Sequence, residues 1–459
     1  MLRAHRGRCG VLIQVGPACS SRSRRARGRI EICASIRVWR DQSSSARLRL
    51  SVVADRTSAG KIAALGALYF AQGIPFGFQA TALPVFLRAS GVSLAGVGFA
   101  GALAVPWVAK ALWAPLVDRF GWERLGRRRS WILPLGALLS LTCAAAAFVP
   151  PSRHLGALLA LVFLMNLLAA TQDIAVDGLA IDLLGRGELG LANAAQVVGY
   201  KVGMLAAGGL LVWASAWIGW RGQFGAMAAL VLASVLASLA LREPPASEVE
   251  ARARRSLREV LATVAVALRA PGALWVVAFL GTYKLGEAMV DMMFKPFLVD
   301  AGFPPHQIGL WVGTYGLVAS IAGSLAGGLL AQRVPLLAAV GVTSALRSAA
   351  MAGEWTLAAA GPPTAGAVIA VTVAEHLFGG ALTTAVFAFM MSRVRRSVGA
   401  THYTLLASVE VLGKSPAVWL SGTLAQRLGY AGLFALGTAL SIAFLGLLVP
   451  LRERSAGEG

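Results

Sequence analysis

The sequence predicts an all-α membrane protein with twelve transmembrane helices in two pseudo-symmetric six-helix bundles, and three observations carry that prediction. The chain of 459 residues is 57% hydrophobic and only 14% charged, with a mean hydropathy of +0.69, far from the composition of a soluble domain. Apolar runs of about 20 residues recur between short polar or basic segments, the length needed to cross roughly 30 Å of hydrocarbon. The two halves of the chain also carry matching motifs at a nearly constant offset.

Taken in order, residues 1–58 form a basic tail. It holds thirteen arginines against Glu31, Asp41 and Asp55, so ten of the +21 net charges lie there and eleven in the rest. It has no apolar core of signal-peptide length, so neither a cleaved export signal nor a first span is expected. The tail reads as a disordered cytoplasmic extension or an over-long start of the reading frame. A nucleic-acid partner is not expected, because no aromatic stacking pattern accompanies the arginines. Cys9, Cys19 and Cys33 lie in the tail and Cys143 in an apolar run, with no metal-site or disulfide spacing.

The apolar runs place helices at about 62–87, 93–117, 131–149, 156–178, 191–215, 223–241, 273–298, 307–330, 335–358, 364–392, 402–424 and 430–450. The expected organisation is an N-terminal bundle over 59–242, a cytoplasmic linker with a basic amphipathic helix over 243–272, a C-terminal bundle over 273–450 and a tail over 451–459. One set of alternate loops holds Arg119, Arg124, Arg127, Arg128, Arg129, Arg186, Arg242 to Arg269, Arg333, Arg393, Arg395 and Arg396. The other set holds little beyond Arg88, Arg153, Arg221 and Arg427. By the positive-inside rule both termini face the cytoplasm of an inner-membrane protein.

The repeat is read from three matches. Phe86 to Gly98 parallels Phe297 to Gly309 at an offset of 211, Asp118-Arg119 parallels Gln332-Arg333 at 214, and Gln196 to Gly199 parallels Glu410 to Gly413 at 214. Parallel repeats of this kind characterise transporters.

Ionisable residues inside apolar runs are costly and so mark function. The seventh run has Lys284, Glu287, Asp291 and Lys295, spaced by three and four so that they share a helix face. The eleventh has Glu410 and Lys414, the fifth Lys201, the ninth Arg347 and the tenth Glu375 and His376, while Gln72 and Gln79 line one face of the first. One reading is helix-to-helix ties. The other is a polar central pathway in which Glu287 and Glu410 take up protons and Lys201, Lys284 and Lys414 attract an anionic substrate, with Gln72, Gln79 and Asp291 also lining it. The first run is broken by Gly73, Pro75 and Gly77, tolerated only where the backbone faces protein or a water-filled cavity.

The fourth run ends in "ATQDIAVDGLAIDLLG", where Asp173 and Asp177 share a face. A D-x-x-x-D pair can hold magnesium and a diphosphate in membrane prenyltransferases, but no second aspartate pair stands at a helix end to complete such a site. Asp118, Arg119, Arg127 and Arg128, in the basic loop after the second run, can form a charge lock that breaks as the halves rock, or can simply anchor the loop.

The T-Q-D-I-x-x-D element, the run "GYKVGML", the loop "GWRG", "LWAPLVDR" with "GRRRSW", and "GIPFGFQATALP" resemble the AmpG-like permeases and the related acetyl-coenzyme A transporters of the major facilitator superfamily. The basic loop also resembles that superfamily's D-R-x-G-R-R motif, with extra residues after Arg119 and Ala114 at a usual glycine position. The resemblance covers the first half most fully. It implies a proton-motive permease that is not an enzyme and has no cofactor, and a cytoplasmic gate containing Asp173 and Asp177, which pair with Lys201 or loop arginines when the inside is closed. The expected partners are the lipid bilayer, protons and a small polar or anionic substrate such as an anhydro-muropeptide, or another anion such as acetyl-coenzyme A, carried by a monomer.

Overall fold

Glycines and prolines set where these helices start, bend and stop, as the computed structural model shows. It describes residues 60–122, 124–183, 189–241, 243, 273–393 and 399–449. The tail 1–58, the amphipathic linker beyond Glu243 and the tail 451–459 lie outside the described residues. All regular structure among the described residues is helical. The helical segments are α1 (60–89), α2 (94–119), α3 (Arg129–Ala146), α4 (Leu155–Leu183), α5 (189–218), α6 (220–240), α7 (273–300), α8 (305–333), α9 (Leu336–Ala359), α10 (Ala365–Ser392), α11 (399–428) and α12 (430–445). Their ends fall within about five residues of those read from hydropathy. α4 runs on to Leu183, so Asp182 as well as Asp177 sits inside the helix.

α5 and α6 are joined without a loop, as are α11 and α12. Each pair breaks at one glycine, Gly219 with φ +66° and Gly429 with φ +70°, the left-handed region open to glycine at little cost. Counted as continuous runs among the described residues, eight helices are long and apolar enough to cross a membrane. Large apolar side chains such as Leu112, Phe148, Trp217, Leu274 and Leu325 point outward, as expected of a surface whose solvent is lipid. The chain is a multi-pass membrane protein.

Prolines shape α2. Pro106 and Pro115 each open a short α-helical piece, and tighter 3-10 turns at Gly101–Ala104 and Lys110–Leu112 precede those pieces, because a proline lacks the N–H that would continue the ladder. Widened π turns occur at Phe78–Ala82 in α1, Leu205–Leu210 in α5 and Gly309–Gly316 in α8. Charged groups close helix ends at the basic end of the molecule. Glu243 accepts the N–H groups of Arg128 (2.7 Å) and Arg129 (3.3 Å) at the start of α3, and Lys61 donates to the Leu183 carbonyl (3.3 Å) at the end of α4.

The helices pack through glycines, in repeat-related pairs. In the first half, a Cβ on Gly199 of α5 would lie 2.4 Å from the Gly66 carbonyl of α1. In the second, a Cβ on Gly413 of α11 would lie 2.1 Å from the Gly281 carbonyl of α7. Such close backbone approach is how membrane helices gain dispersion energy without a hydrophobic drive. The two halves meet in the same manner: α2 against α11 at Gly98 and Gly422, α8 against α5 at Gly313 and Gly209. Both contacts lie toward the end opposite the basic loops. There, Arg88 of α1 forms a two-pronged pair with Asp300 of α7 (2.6 and 2.8 Å), and Tyr430 of α12 donates to the same carboxylate (2.6 Å).

Candidate functional site

Polar residues inside an apolar fold must find partners within the protein, and here they gather in three groups. The first is built by α4, whose signature stretch ties the N-terminal half together. Thr171 accepts the indole N–H of Trp113 (3.2 Å), while fully buried Gln172 donates to the Ile132 carbonyl of α3 (2.9 Å). Asp173 pairs with Lys110 of α2. Asp177 accepts from Tyr69 of α1 (2.8 Å) and Gln196 of α5 (3.0 Å). Asp182 pairs with Arg128 (3.2 Å), whose guanidinium lies against Gly178.

The cationic partner of Asp173 in this structure is Lys110. The Asp173 and Asp177 carboxylates are each engaged by different neighbours. Arg127 and Arg128 lie in the loop before α3, and the backbone of Asp118 and Arg119 ends α2, their side chains lying outside what is described. Beside Lys110 stand three rings from three helices: Phe76, Trp107 and Tyr200, with centroids 5.6 to 6.2 Å apart. The Lys110 ammonium lies 5.5 Å from the Trp107 ring centre.

The second group lies where the halves face each other. Glu410 of α11 is held by two ammonium groups, Lys284 of α7 at 3.2 Å and Lys414 at 3.1 Å. Lys201 of α5 reaches across to Ser324 of α8 (3.3 Å) and lies within electrostatic range of Lys284. Among the described residues Lys201 has no carboxylate partner. Glu287 lies within electrostatic range of Lys284 and Lys414 as well, so three ammonium groups against two carboxylates leave a surplus of one positive charge. Gln72 in α1 is fully buried with neither amide atom hydrogen-bonded among the described residues, whereas Gln79 donates to the Ala100 carbonyl of α2 (3.4 Å).

The third group lies inside the C-terminal half. Arg347 of α9 is buried and contacts Glu375 of α10 and Glu287 of α7, the latter at 3.5 Å. His376 Nδ1 faces both the Glu375 carboxylate and the Thr372 carbonyl (3.1 Å). Glu354 of α9 is 2% exposed and its Oε2 has no hydrogen-bond partner among the described residues. Asp291 pairs with Lys295 one turn on (2.8 Å).

Lys110, Tyr69, Glu354 and the Arg88–Asp300–Tyr430 contact are absent from the candidates read in the sequence. Lys110 in "PWVAKALW" and Glu354 in "MAGEWTL" are ionisable residues in apolar surroundings, so the rule that flagged Lys201 applies to them equally.

Two bundles meeting through repeat-related glycines, with charges gathered between and inside them, define a multi-pass transporter of the major facilitator type. The nucleoside transporter NupG superposes with a TM-score of 0.64 at 14% identity, over 84% of this chain and 99% of that one. A D-xylose-proton symporter superposes with a TM-score of 0.64 at 11% identity, over 86% and 97%. At those identities the likeness is one of fold. The profile of the family described as Acetyl-coenzyme A transporter 1 matches residues 61–149 and 152–215. The Anhydromuropeptide permease of Escherichia coli (strain K12) is 31% identical over 388 residues, covering 84% of this chain and 78% of the relative. The chain belongs to the AmpG-like permease family, whose members in these comparisons are transporters and not enzymes.

Proposed function

We propose that the protein imports an anhydro-muropeptide, or a closely similar anionic sugar-peptide, by alternating access with proton symport. The observation that carries the anionic part is the surplus of positive charge on Lys201, Lys284 and Lys414 over Glu410 and Glu287, placed between the halves. A substrate carboxylate entering there replaces lost hydration with ammonium partners. The likeness to the Escherichia coli permease supports the sugar-peptide, whereas the profile match supports acetyl-coenzyme A as the second reading.

In this proposal there are twelve spans. The joined helices split at Gly219 and Gly429, and α1 and α2 complete the N-terminal six. The chain sits in the inner membrane as a monomer with its basic end and both termini in the cytoplasm. Closure at the opposite end, through Arg88 and Asp300, is then the inward-open state. Asp118, Arg119, Arg127, Arg128, Asp173 and Asp177 belong to the cytoplasmic gate, and Gln79 and Asp291 to the walls of the pathway.

The test is an uptake screen in proteoliposomes against labelled anhydro-muropeptide, a free sugar, a short peptide and acetyl-coenzyme A. The proposal expects uptake of the muropeptide, inhibited by an excess of the unlabelled compound. Uptake of acetyl-coenzyme A alone selects the second reading, and uptake of the free sugar alone contradicts the role given to the lysines.

A further inference from the structure

The C-terminal half buries a second charged cluster, linked to the lysine-rich group through Glu287. One guanidinium, Arg347, faces Glu287 at 3.5 Å and Glu375 in direct contact, with Glu354 on its own helix nearby. Glu287 also lies within electrostatic range of Lys284 and Lys414. With His376 neutral and Glu287 counted with those lysines, Arg347 against Glu354 and Glu375 leaves a net charge of −1. Asp291 and Lys295 of α7 also face the cluster, but they pair with each other at 2.8 Å and add nothing net. Gly316 of α8 lies against the His376 ring, and neither α8 nor α12 carries a charged residue between its ends.

An uncompensated carboxylate in a low-dielectric interior is not sustained; such a site takes up a proton to compensate the charge. We propose that Glu354, Glu375 and His376 form the proton-binding site of the permease, with Glu354 as the buried acceptor and His376 as its exposed port. This rests on the proton-symport reading and assigns the site. Glu354 is 2% exposed, and an oxygen without any hydrogen-bond partner among the described residues fits an acid that is neutral for part of the cycle. The His376 side chain is 20% exposed while that of Glu375 is 7% exposed, so the imidazole lies between the wetter space and the carboxylates. Nδ1 turned toward two oxygens holds a proton there and leaves Nε2 to exchange. Glu287 shares the same arginine and couples the cluster to α7, the helix that also carries Lys284. Glu410, by contrast, is already compensated by two ammonium groups and serves the substrate pole.

The test has two arms on the full-length protein. Infrared difference spectra between acid and alkaline buffer, taken without substrate, read the carbonyl stretch of a protonated carboxylic acid; Glu354→Gln is expected to remove a titrating band that the wild type shows. In proteoliposomes, Glu354→Gln is expected to lower accumulation of labelled anhydro-muropeptide under an inward proton gradient by about tenfold or more, while exchange against internal unlabelled compound stays within about twofold. A band that persists in Glu354→Gln overturns the proposal, and so does wild-type gradient-driven accumulation. Should Glu354→Gln fail to purify as a monodisperse species, His376→Gln decides: a shifted pH midpoint of the band supports the site, an unshifted one overturns it. If the wild type moves none of the probe, the substrate reading falls and the infrared arm alone decides the proton site.

Discussion

The Asp173 side chain is 6% exposed and its cationic partner is Lys110, drawn from a helix 63 residues earlier. Removing the ammonium leaves a buried carboxylate without compensation, which costs about 3 kcal/mol or more. Lys110→Ala is therefore expected to lower the thermal midpoint of the detergent-purified protein markedly. Lys110→Met combined with Asp173→Asn, which removes both charges, is expected to recover much of the loss. A double variant no more stable than Lys110→Ala argues against the pair. The aspartate was legible in the sequence because it stands in a recognisable stretch, whereas its partner was not, since nothing local links "PWVAKALW" to "TQDIAVD". Partners four residues apart on one helix, Glu410 with Lys414 and Asp291 with Lys295, were legible for that reason. Lys284 with Glu410 and Arg347 with Glu287 join different helices, so only the individual residues could be flagged.

At the scale of the element, glycines decide how closely helices approach. A Cβ at Gly413 would lie 2.1 Å from the Gly281 carbonyl and 2.6 Å from its Cα, so Gly413→Ala must push α11 away from α7, at a cost of about 2 kcal/mol. Gly225 in α6 has nothing within 4 Å of the position a Cβ would take. There Gly→Ala is expected to be neutral or to add about 0.5 kcal/mol through helix propensity. Thermal unfolding of the two variants side by side checks the contrast, and equal midpoints contradict it. Hydropathy placed the helices to within a few residues, because length and apolarity are local properties. It also bracketed where the joined helices divide, between 215 and 223 and between 424 and 430. That each division is a single glycine with no loop was not legible, because the positive φ of Gly219 and Gly429 is a backbone property that composition does not report.

At the scale of the whole molecule, the Asp300 carboxylate is the point where Arg88 and Tyr430 tie the two halves together opposite the basic loops. If the halves rock about their shared interface, this contact must open once per cycle. Asp300→Asn is expected to raise the fraction of molecules open at that end. The distance between spin labels at Ser152 and Pro362, one on each half, should then gain a longer component; an unchanged distribution argues against the latch. The repeat made the two-half organisation legible beforehand, since Gly91 and Gly302, matched at an offset of 211, both take up positive φ in equivalent turns. The contact between Arg88 and Asp300 was not legible, because it joins residues the repeat does not relate.

With a positive pole for an anionic cargo between the halves and a proton-binding cluster inside one of them, the cargo of the proposed transporter is driven inward by a proton gradient. The most direct measurement is the accumulation of labelled anhydro-muropeptide in proteoliposomes carrying an imposed inward proton gradient, with and without an uncoupler. Accumulation above the external concentration that collapses on adding the uncoupler is the predicted result. Equilibration to the external concentration, unaffected by the gradient or the uncoupler, would contradict it.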